Sequence, residues 1–435
     1  MNIVQITPGA GAMYCGNCFR DNALVAELRA QGHDVTMIPL YLPITLDEED
    51  QSAGTPVFFG GINVYLEQKF ALFRRAPNWL RHLLTSERLL RWAAGRTAKT
   101  RAADVGDMMI SMLRGEEGNQ ARELDELIVW LKTQPKPDVV CLSNALLVGM
   151  ARRLKAELQT SIVCTLQGED SFLDSLPDSH RAAAWRLLAE RAVDVDKFIA
   201  PSRYFADVMT RRLNLKAERV QVVYNGLNLE GFLLRTPRSA LRTEKAPVLG
   251  YFARMCKEKG LDTLVEAFIH LKNRGNAPRL KLHIGGGCGP GDELFVKSLR
   301  KRLAEAGFIG ETMFAPNLSR VEKIAFLESL TVFSVPAGYG EAFGLYVIEA
   351  MAAGVPVVQP RVAAFPELIE ATGGGELCEP DNPKALADAI QGLLLEPERT
   401  RALGEAGRKA VFERFSIEAM TDEVVRIYAG LALGK

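Results

Sequence analysis

The sequence predicts an α/β chain made of two doubly wound domains in tandem, and three observations carry that expectation. Short β-branched runs alternate with helix-length amphipathic stretches from end to end, the pattern of parallel sheets covered by helices. The rhythm stops at 234–247 (LRTPRSALRTEKAP), a basic, turn-like stretch without apolar periodicity, and restarts at 248–253. A length of 435 residues, at roughly 150 residues per domain, leaves room for about two or three domains.

Taken in order, the first half offers strands near 2–7, 34–40, 138–143, 161–166, 197–200 and 220–224, with helices such as 19–31, 144–157 and 203–213 between them. The second half offers strands near 280–284, 312–315, 332–335 and 356–359 after the restart. The expected domains are 1–240, to which a final helix at about 416–435 returns, and 247–415. Two such domains leave a cleft at the carboxyl ends of their strands, where folds of this kind bind ligands.

One segment, 43–130, breaks the rhythm with much helix signal and little strand signal, and reads as a helical insertion. Within it, 69–101 holds Lys69, Arg74, Arg75, Arg81, Arg88, Arg91, Arg96, Lys99 and Arg101 against Glu87 alone. Trp79, Leu80, Leu83, Leu84, Leu89, Leu90 and Trp92 are interleaved. A basic amphipathic stretch of this kind can lie peripherally on an anionic membrane or face a polyanion. The plainer reading, which we favour, is an insertion packed on the first domain and balanced by the acidic residues that follow, from Asp104 to Glu126.

Composition excludes several classes. Lys+Arg and Asp+Glu both number 53, so the formal charge is zero, and nucleic-acid binding in bulk, which needs clustered positive charge, is not expected. Apolar residues at 48% suffice for large cores, yet no run of about 18 apolar residues suggests a spanning helix. The start, MNIVQITPGAGAMYCGNC, has no basic region before an apolar core, so no signal peptide is expected and the location is read as cytoplasmic. The seven cysteines are sparse, and Cys141 and Cys164 lie in apolar strands where a thiol packs as a small hydrophobe. Cys15 and Cys18 form a lone C-x2-C; zinc needs two further ligands at suitable spacing, so neither a metal nor a cofactor is expected.

Chemistry concentrates in three stretches. In GYGEAFGLYVIEAMAAG (338–354) a permissive loop precedes a helix expected from about Phe343 to Ala353. That helix is apolar almost all round and hence buried. Glu349 on it needs partners, either a cation or two neighbouring hydroxyls such as those of a ribose. Glu341, just ahead, either favours the helix N-terminus or accepts from a sugar hydroxyl, while the amides of Ala342 to Leu345 form an anion site. In GYFARMCKEKG (250–260), Arg254, Lys257 and Lys259 follow a strand. Cations there suit a diphosphate, although a solvated turn would look the same. In PGAGAMYCG (8–16), a G-x-G-x-x-G fingerprint fails at Tyr14, and the second strand ends MIPLYLP without the acidic residue a dinucleotide ribose needs. A nicotinamide enzyme is therefore not expected, while a phosphate could still approach this loop.

Arg254 and Lys259 beyond the first strand of a second domain, the spacing Glu341-x7-Glu349, the turn YNGLNLEGF (224–232) and the tail ERFSIEAMTDEVVRIYAGL (413–431) together resemble retaining glycosyltransferases of family 4. The likeness covers nearly the whole chain and is strongest over 197–433. It implies the GT-B fold, two Rossmann-like doubly wound domains facing a central cleft, and a nucleoside-diphosphate sugar as donor. By that resemblance Arg254 and Lys259 hold the diphosphate, Glu349 the ribose hydroxyls and Glu341 the donor sugar. The amides of Phe343, Gly344 and Leu345 contact sugar and phosphate, and Gly11 faces the phosphates from the first domain. The acceptor is a glycan, a lipid or a small molecule. The family often has a histidine after the strand at 161–166; here the sequence is CTLQGEDSF. Asp170 or Glu169 then faces the anomeric centre, or simply caps the next turn. A sugar-nucleotide epimerase and a non-catalytic sugar-nucleotide-binding protein are the alternatives on the same fold. Intact Glu341, Glu349, Arg254 and Lys259 argue against the second, and the missing acid and base groups for elimination argue against the first.

Overall fold

A computed structural model describes residues 1–9, 16–44, 48–59, 102–232 and 246–433. The chain divides into two compact units, Met1–Tyr224 with Met420–Lys435, and Asn225–Ala419. The turn NGLNLEGF at 225–232, read above with the first half, therefore groups with the second unit. Leu227 bridges Ser416 there, and the amides of Leu227 and Ile417 bond across to Phe415 and Leu227.

In the first unit a six-stranded sheet runs in the order β2-β1-β3-β4-β5-β6. Its strands are β1 (Asn2–Thr7), β2 (Asp34–Pro39), β3 (Val139–Leu142), β4 (Ser161–Thr165), β5 (Lys197–Ala200) and β6 (Val220–Val222). Every described pairing is parallel, and β3 and β4 are buried along their whole length. Continuous apolar runs such as VVCL are what a strand covered on both faces requires. Between β1 and β3 lie the helix Gly16–Ala30, β2 and the helices Ala102–Arg114 and Ala121–Leu131. Gly11, Cys15 and the basic stretch 69–101 fall outside the described residues, as does most of the 234–247 stretch.

The helix expected over 144–157 begins instead as a 3-10 turn, Ala145–Met150, before the α-helix Ala151–Leu158. Asn144 caps it by accepting from the Leu146 amide at 3.0 Å. A Cβ on Gly149 would lie 2.1 Å from the Met112 carbonyl oxygen, so a glycine is needed where this turn meets the helix Ala102–Arg114. A fully buried polar layer lies beneath the sheet's carboxyl end, with Gln5, Thr7, Asp21 and Ser143 all out of water. Arg20 pairs with Asp21 at 2.7 Å in that layer, and Arg20 also donates to Thr165 at 3.3 Å. The helix Ile417–Leu433 supplies Val424 and Tyr428 to the same core. Burial, opposed in part by the Tyr428 hydroxyl, pushes the Cys141 thiol up to about 12, so it packs as an apolar group.

The second unit repeats the plan with a six-stranded sheet ordered β12-β11-β10-β7-β8-β9. Its strands are β7 (Val248–Phe252), β8 (Lys281–Gly286), β9 (Thr312–Pro316), β10 (Val332–Phe333), β11 (Val357–Pro360) and β12 (Gly375–Cys378). All described pairings are parallel here too. The edge strand β12 has no counterpart in the sequence reading. Its GELC follows two further glycines and lacks the β-branched run that marks its neighbours. Among the described residues no helix is long and apolar enough to cross a membrane. The described cysteines are free thiols, and the described residues contain no group of three or more His, Cys, Asp or Glu that could hold a metal ion.

Candidate functional site

In the second unit, β7 ends at Phe252 and its continuation is drawn against the loop after β8. The Met255 amide donates to the Gly287 carbonyl at 2.7 Å, and the Tyr251 hydroxyl donates to the Arg254 carbonyl at 2.7 Å. Arg254 is thereby fixed at the strand's end. Its Nη2 lies 2.9 Å from Asp292 Oδ1, and its Nε lies 3.2 Å from each Asp292 oxygen. Asp292 is buried and also accepts from the Gly289 amide at 3.1 Å, while the Arg254 side chain stays 66% exposed. One edge of the guanidinium is therefore tied down and the rest is open to an incoming anion.

A 3-10 turn, Lys257–Lys259, follows and closes on Gly260 at φ 70°. A Cβ at Gly260 would lie 2.0 Å from the Pro336 carbonyl oxygen, so only glycine lets the two loops meet. That approach delivers Lys259 to Glu341. Lys259 Nζ lies 2.5 Å from Glu341 Oε2, and the same oxygen accepts from the Tyr346 hydroxyl at 2.8 Å and the Tyr339 hydroxyl at 3.2 Å. The ammonium also stands over both rings, 5.0 Å from the Tyr339 centroid and 5.2 Å from that of Tyr346. Burial pushes the Glu341 carboxyl up, but the Lys259 charge and the donors from Lys259, Tyr346 and Tyr339 outweigh it and hold the group below its ordinary range. Burial likewise pulls the Lys259 ammonium down, and Glu341 more than reverses this. Lys257, by contrast, is exposed.

The helix expected from Phe343 starts at Leu345 and runs to Ala352. Gly344, at φ 91°, is the reason: a left-handed residue cannot be the first turn of a right-handed helix. No side chain caps this start. Phe343 packs its ring on Phe415, while Leu345 is half-buried. Glu349, in the middle of the helix, has a cation: Lys323 Nζ lies 3.0 Å from its Oε1, with the two side chains 6% and 14% exposed. Lys323 comes from the helix Arg320–Glu328, whose start is fixed by a capping box of Ser319 and Glu322.

In the first unit the chain leaves β4 through Gly168, at φ 94°, into the short helix Glu169–Asp174. Glu169 accepts from the Ala145 amide at 2.7 Å and from the Gln167 amide at 2.9 Å. It thus ties the loop after β3 to the loop after β4. Burial, opposed by those amides, pushes its carboxyl up to about 7. Asp170 is also raised by burial, and its Oδ1 has no hydrogen-bond partner among the described residues. Nearby, Arg212 grips Asp174 with two contacts of 2.7 Å and lies 4.5 Å over the Trp185 ring. Of the two carboxylates named for the acceptor side, Glu169 is committed to backbone amides and Asp170 keeps an oxygen available.

Each unit thus assembles its own group. Lys259 meets Glu341; Arg254 and Glu349 each take a separate counter-ion. Asp292, Lys323, Tyr339 and Tyr346 were not found from the sequence. A usable signal existed for Asp292, an acidic residue closing the Gly-rich GGGCGPGD run just ahead of a helix.

Two family models match the chain, one after the other. Residues 109–230 match the family model Glycosyltransferase Family 4, and residues 235–410 match Glycosyl transferases group 1. A D-inositol 3-phosphate glycosyltransferase from Saccharomonospora viridis is 29% identical over 252 residues, 56% of this chain and 58% of that protein. The match therefore spans little more than half the length of that relative. An N-acetyl-alpha-D-glucosaminyl L-malate synthase from Bacillus anthracis is 25% identical over 292 residues, 66% of this chain and 72% of the relative. Among solved structures, sucrose-phosphate synthase from Thermosynechococcus elongatus aligns over 100% of both chains with a TM-score of 0.74 at 20% identity. Anabaena HepE in complex with UDP aligns over 99% of this chain and 100% of its own, with a TM-score of 0.69 at 15% identity. With the two family models falling one after the other along most of the described chain, and with the fold of those structures, the chain belongs to the group 1 glycosyl transferases of glycosyltransferase family 4.

Proposed function

We propose that the chain is a retaining glycosyltransferase that moves a sugar from a nucleoside-diphosphate sugar to a hydroxylated acceptor, without a bound metal. The observation that carries this reading is the contact of Lys259 with Glu341 beyond β7, with Arg254 half free at the end of the same strand, in the unit matched by the group 1 model. Support for a nucleotide-sugar donor comes from similar structures, since Anabaena HepE is solved with UDP and with UDP-glucose. In this reading Arg254 offers its open edge to the diphosphate, Lys259 a point charge, Glu349 ribose contacts and Glu341 a contact to the sugar. Phe343, Gly344 and Leu345 present amides at the uncapped helix start, and Gly11 approaches the phosphates.

Chemically, the bond from the anomeric carbon to the donor phosphate oxygen breaks, a bond to the acceptor oxygen forms, and the acceptor proton passes to the departing diphosphate. Charge grows on the leaving oxygen as the bond breaks. Fixed cations are worth most there, because they need no reorganisation at that moment. Asp170 is the favoured acceptor-side group, since Glu169 is held by amides. The acceptor is a glycan, a lipid or a small molecule, and the reaction is placed in the cytoplasm, with 69–101 as the candidate peripheral membrane contact.

A thermal-shift and calorimetric screen of UDP, GDP, ADP and their common sugars tests the donor assignment. A ligand at about 100 times its dissociation constant should stabilise by about 2.7 kcal/mol. Binding by none of them would end the donor reading. Loss of transfer in EDTA, restored by Mg2+ or Mn2+, would end the metal-free mechanism alone.

A further inference from the structure

Three donors converge on one oxygen of Glu341. Lys259, Tyr346 and Tyr339 all bond Oε2, and none of the described residues donates to Oε1. Lys259 is thus spent on Glu341, yet the donor reading requires its charge at the diphosphate. When a diphosphate arrives, the ammonium is drawn to the larger negative charge. Glu341, a carboxylate with only 14% of its side chain exposed, then loses its cation. A buried carboxylate without a partner ordinarily takes up a proton.

We propose that Tyr346 and Tyr339 are positioning residues that keep Glu341 ionised and aimed, by hydrogen bonds to Oε2, while Lys259 turns to the donor diphosphate and Oε1 receives a sugar hydroxyl. The proposal rests on the donor reading above. Tyr346 suits the task because its ring is locked between Phe333 and Phe365, each centroid 6.5 Å away. Its hydroxyl can therefore swing little. The two rings serve a second purpose: they hold the ammonium by their faces when it has left the carboxylate, so Lys259 remains in the site.

The groups facing Glu341 are few. Lys259 comes from the turn after β7, Tyr339 from Glu341's own loop and Tyr346 from the following helix. Tyr251 on β7 acts on Tyr346 and is itself acted on by Tyr339, Cys256, Asp262 and Asp292. The segment leading to the helix Phe365–Thr372 contributes a backbone contact, the Ala364 amide to the Glu341 carbonyl at 3.3 Å. Among the described residues Lys259 is the cation that bonds Glu341.

The experiment compares the affinity of a sugar nucleotide with that of its nucleoside diphosphate, for example UDP-glucose against UDP or GDP-mannose against GDP. Titration calorimetry is run from pH 8 to pH 5 on wild type, Tyr346→Phe, Tyr339→Phe and the double variant. The ratio isolates the contribution of the sugar; ionisation of the free diphosphate is common to all proteins and cancels between them. In wild type the ratio should hold to low pH. In Tyr346→Phe its decline should begin about one pH unit higher, and higher again in the double variant, with the diphosphate's own affinity changed less than twofold. Glu341→Gln should have a reduced ratio with no such decline, identifying the titrating group. A wild-type profile in Tyr346→Phe and in the double variant overturns the proposal. So does an equal loss of UDP and UDP-glucose affinity at every pH, which marks a packing role. Failure of wild type to bind any nucleoside diphosphate overturns the donor reading instead. Tyr339, on a loop and half-buried, keeps the test open if Tyr346→Phe does not fold.

Discussion

Lys323 and Glu349 are both nearly out of water, which decides what a substitution at either one does. Removing one partner of such a pair leaves a buried charge without compensation and costs about 3 kcal/mol or more, while replacing both by apolar groups of similar size is close to neutral. Lys323→Ala should therefore lower the free energy of unfolding in urea by about 3 kcal/mol, and Lys323→Met with Glu349→Leu should recover most of it. Catalytic effects should divide differently. In the proposed mechanism Arg254→Ala and Lys259→Ala remove charge that acts mainly in the transition state, so turnover should fall by about a hundredfold, on the order of 3 kcal/mol, with a smaller change in donor affinity. If Glu349 holds the ribose as proposed, Glu349→Ala should mainly raise the donor KM, because such contacts do not change along the reaction. Calorimetric donor binding paired with rates at saturating donor separates the two cases; equal KM-type effects in all three variants would show that the cations merely anchor the donor.

Glu169 makes a residue-scale statement about pH. Its folded pKa of about 7 lies above the ordinary 4.5 because burial disfavours the charge. The folded state therefore holds a proton that the unfolded chain has released, and stability is full below about 4.5 and falls as pH rises through 7. The 2.5-unit difference corresponds to about 3 kcal/mol at 1.36 kcal/mol per unit. Urea unfolding at pH 5 and pH 8 should show wild type losing stability that Glu169→Gln does not lose; parallel changes in the two proteins would mean that Glu169 ionises normally. At this scale the sequence marked candidate residues and was silent about their partners. Glu341, Glu349, Arg254 and Lys259 stand in short motifs with fixed spacing. Lys323 lies 26 positions from Glu349 and Asp292 lies 38 from Arg254, separations set by the stacking of neighbouring β-α units rather than by local pattern.

Among elements, those with uninterrupted β-branched runs were readable to within a residue or two, as β1, β5 and the helix Arg203–Leu213 show. Helix starts were less so, since a single backbone angle can move them, and Gly344 delays its helix by two residues. The Gly-rich edge strand β12 was invisible because pairing with β11, not composition, makes it a strand. The turn at Lys257–Lys259 depends on the same kind of constraint. Gly260→Ala would place a Cβ within 2.0 Å of the Pro336 carbonyl oxygen at a positive φ. We expect a loss of about 1–3 kcal/mol from the strained backbone, with Lys259 moved away from Glu341 and donor affinity reduced. Denaturation and donor calorimetry on this variant check both parts; unchanged donor binding would show that the loop contact is not what places Lys259.

For the whole molecule, the chain's path is the feature with the widest reach. It leaves the first unit after Tyr224, builds the second as one continuous stretch to Ala419, and returns through the helix Ile417–Leu433. Both chain ends belong to the first unit, and the second is entered and left beside the Leu227–Ser416 bridge. A tensile load applied between Met1 and Lys435 therefore runs through β1, the buried polar layer and Tyr428, and bypasses the second unit entirely. Only when the final helix tears away from the first sheet does the second unit enter the force path. In an optical trap, rupture should begin with the short extension of the first unit's terminal segments, and the second unit should unravel afterwards as a separate step. Wiring of this kind makes the unit with the charged cluster the mechanically shielded half of the chain.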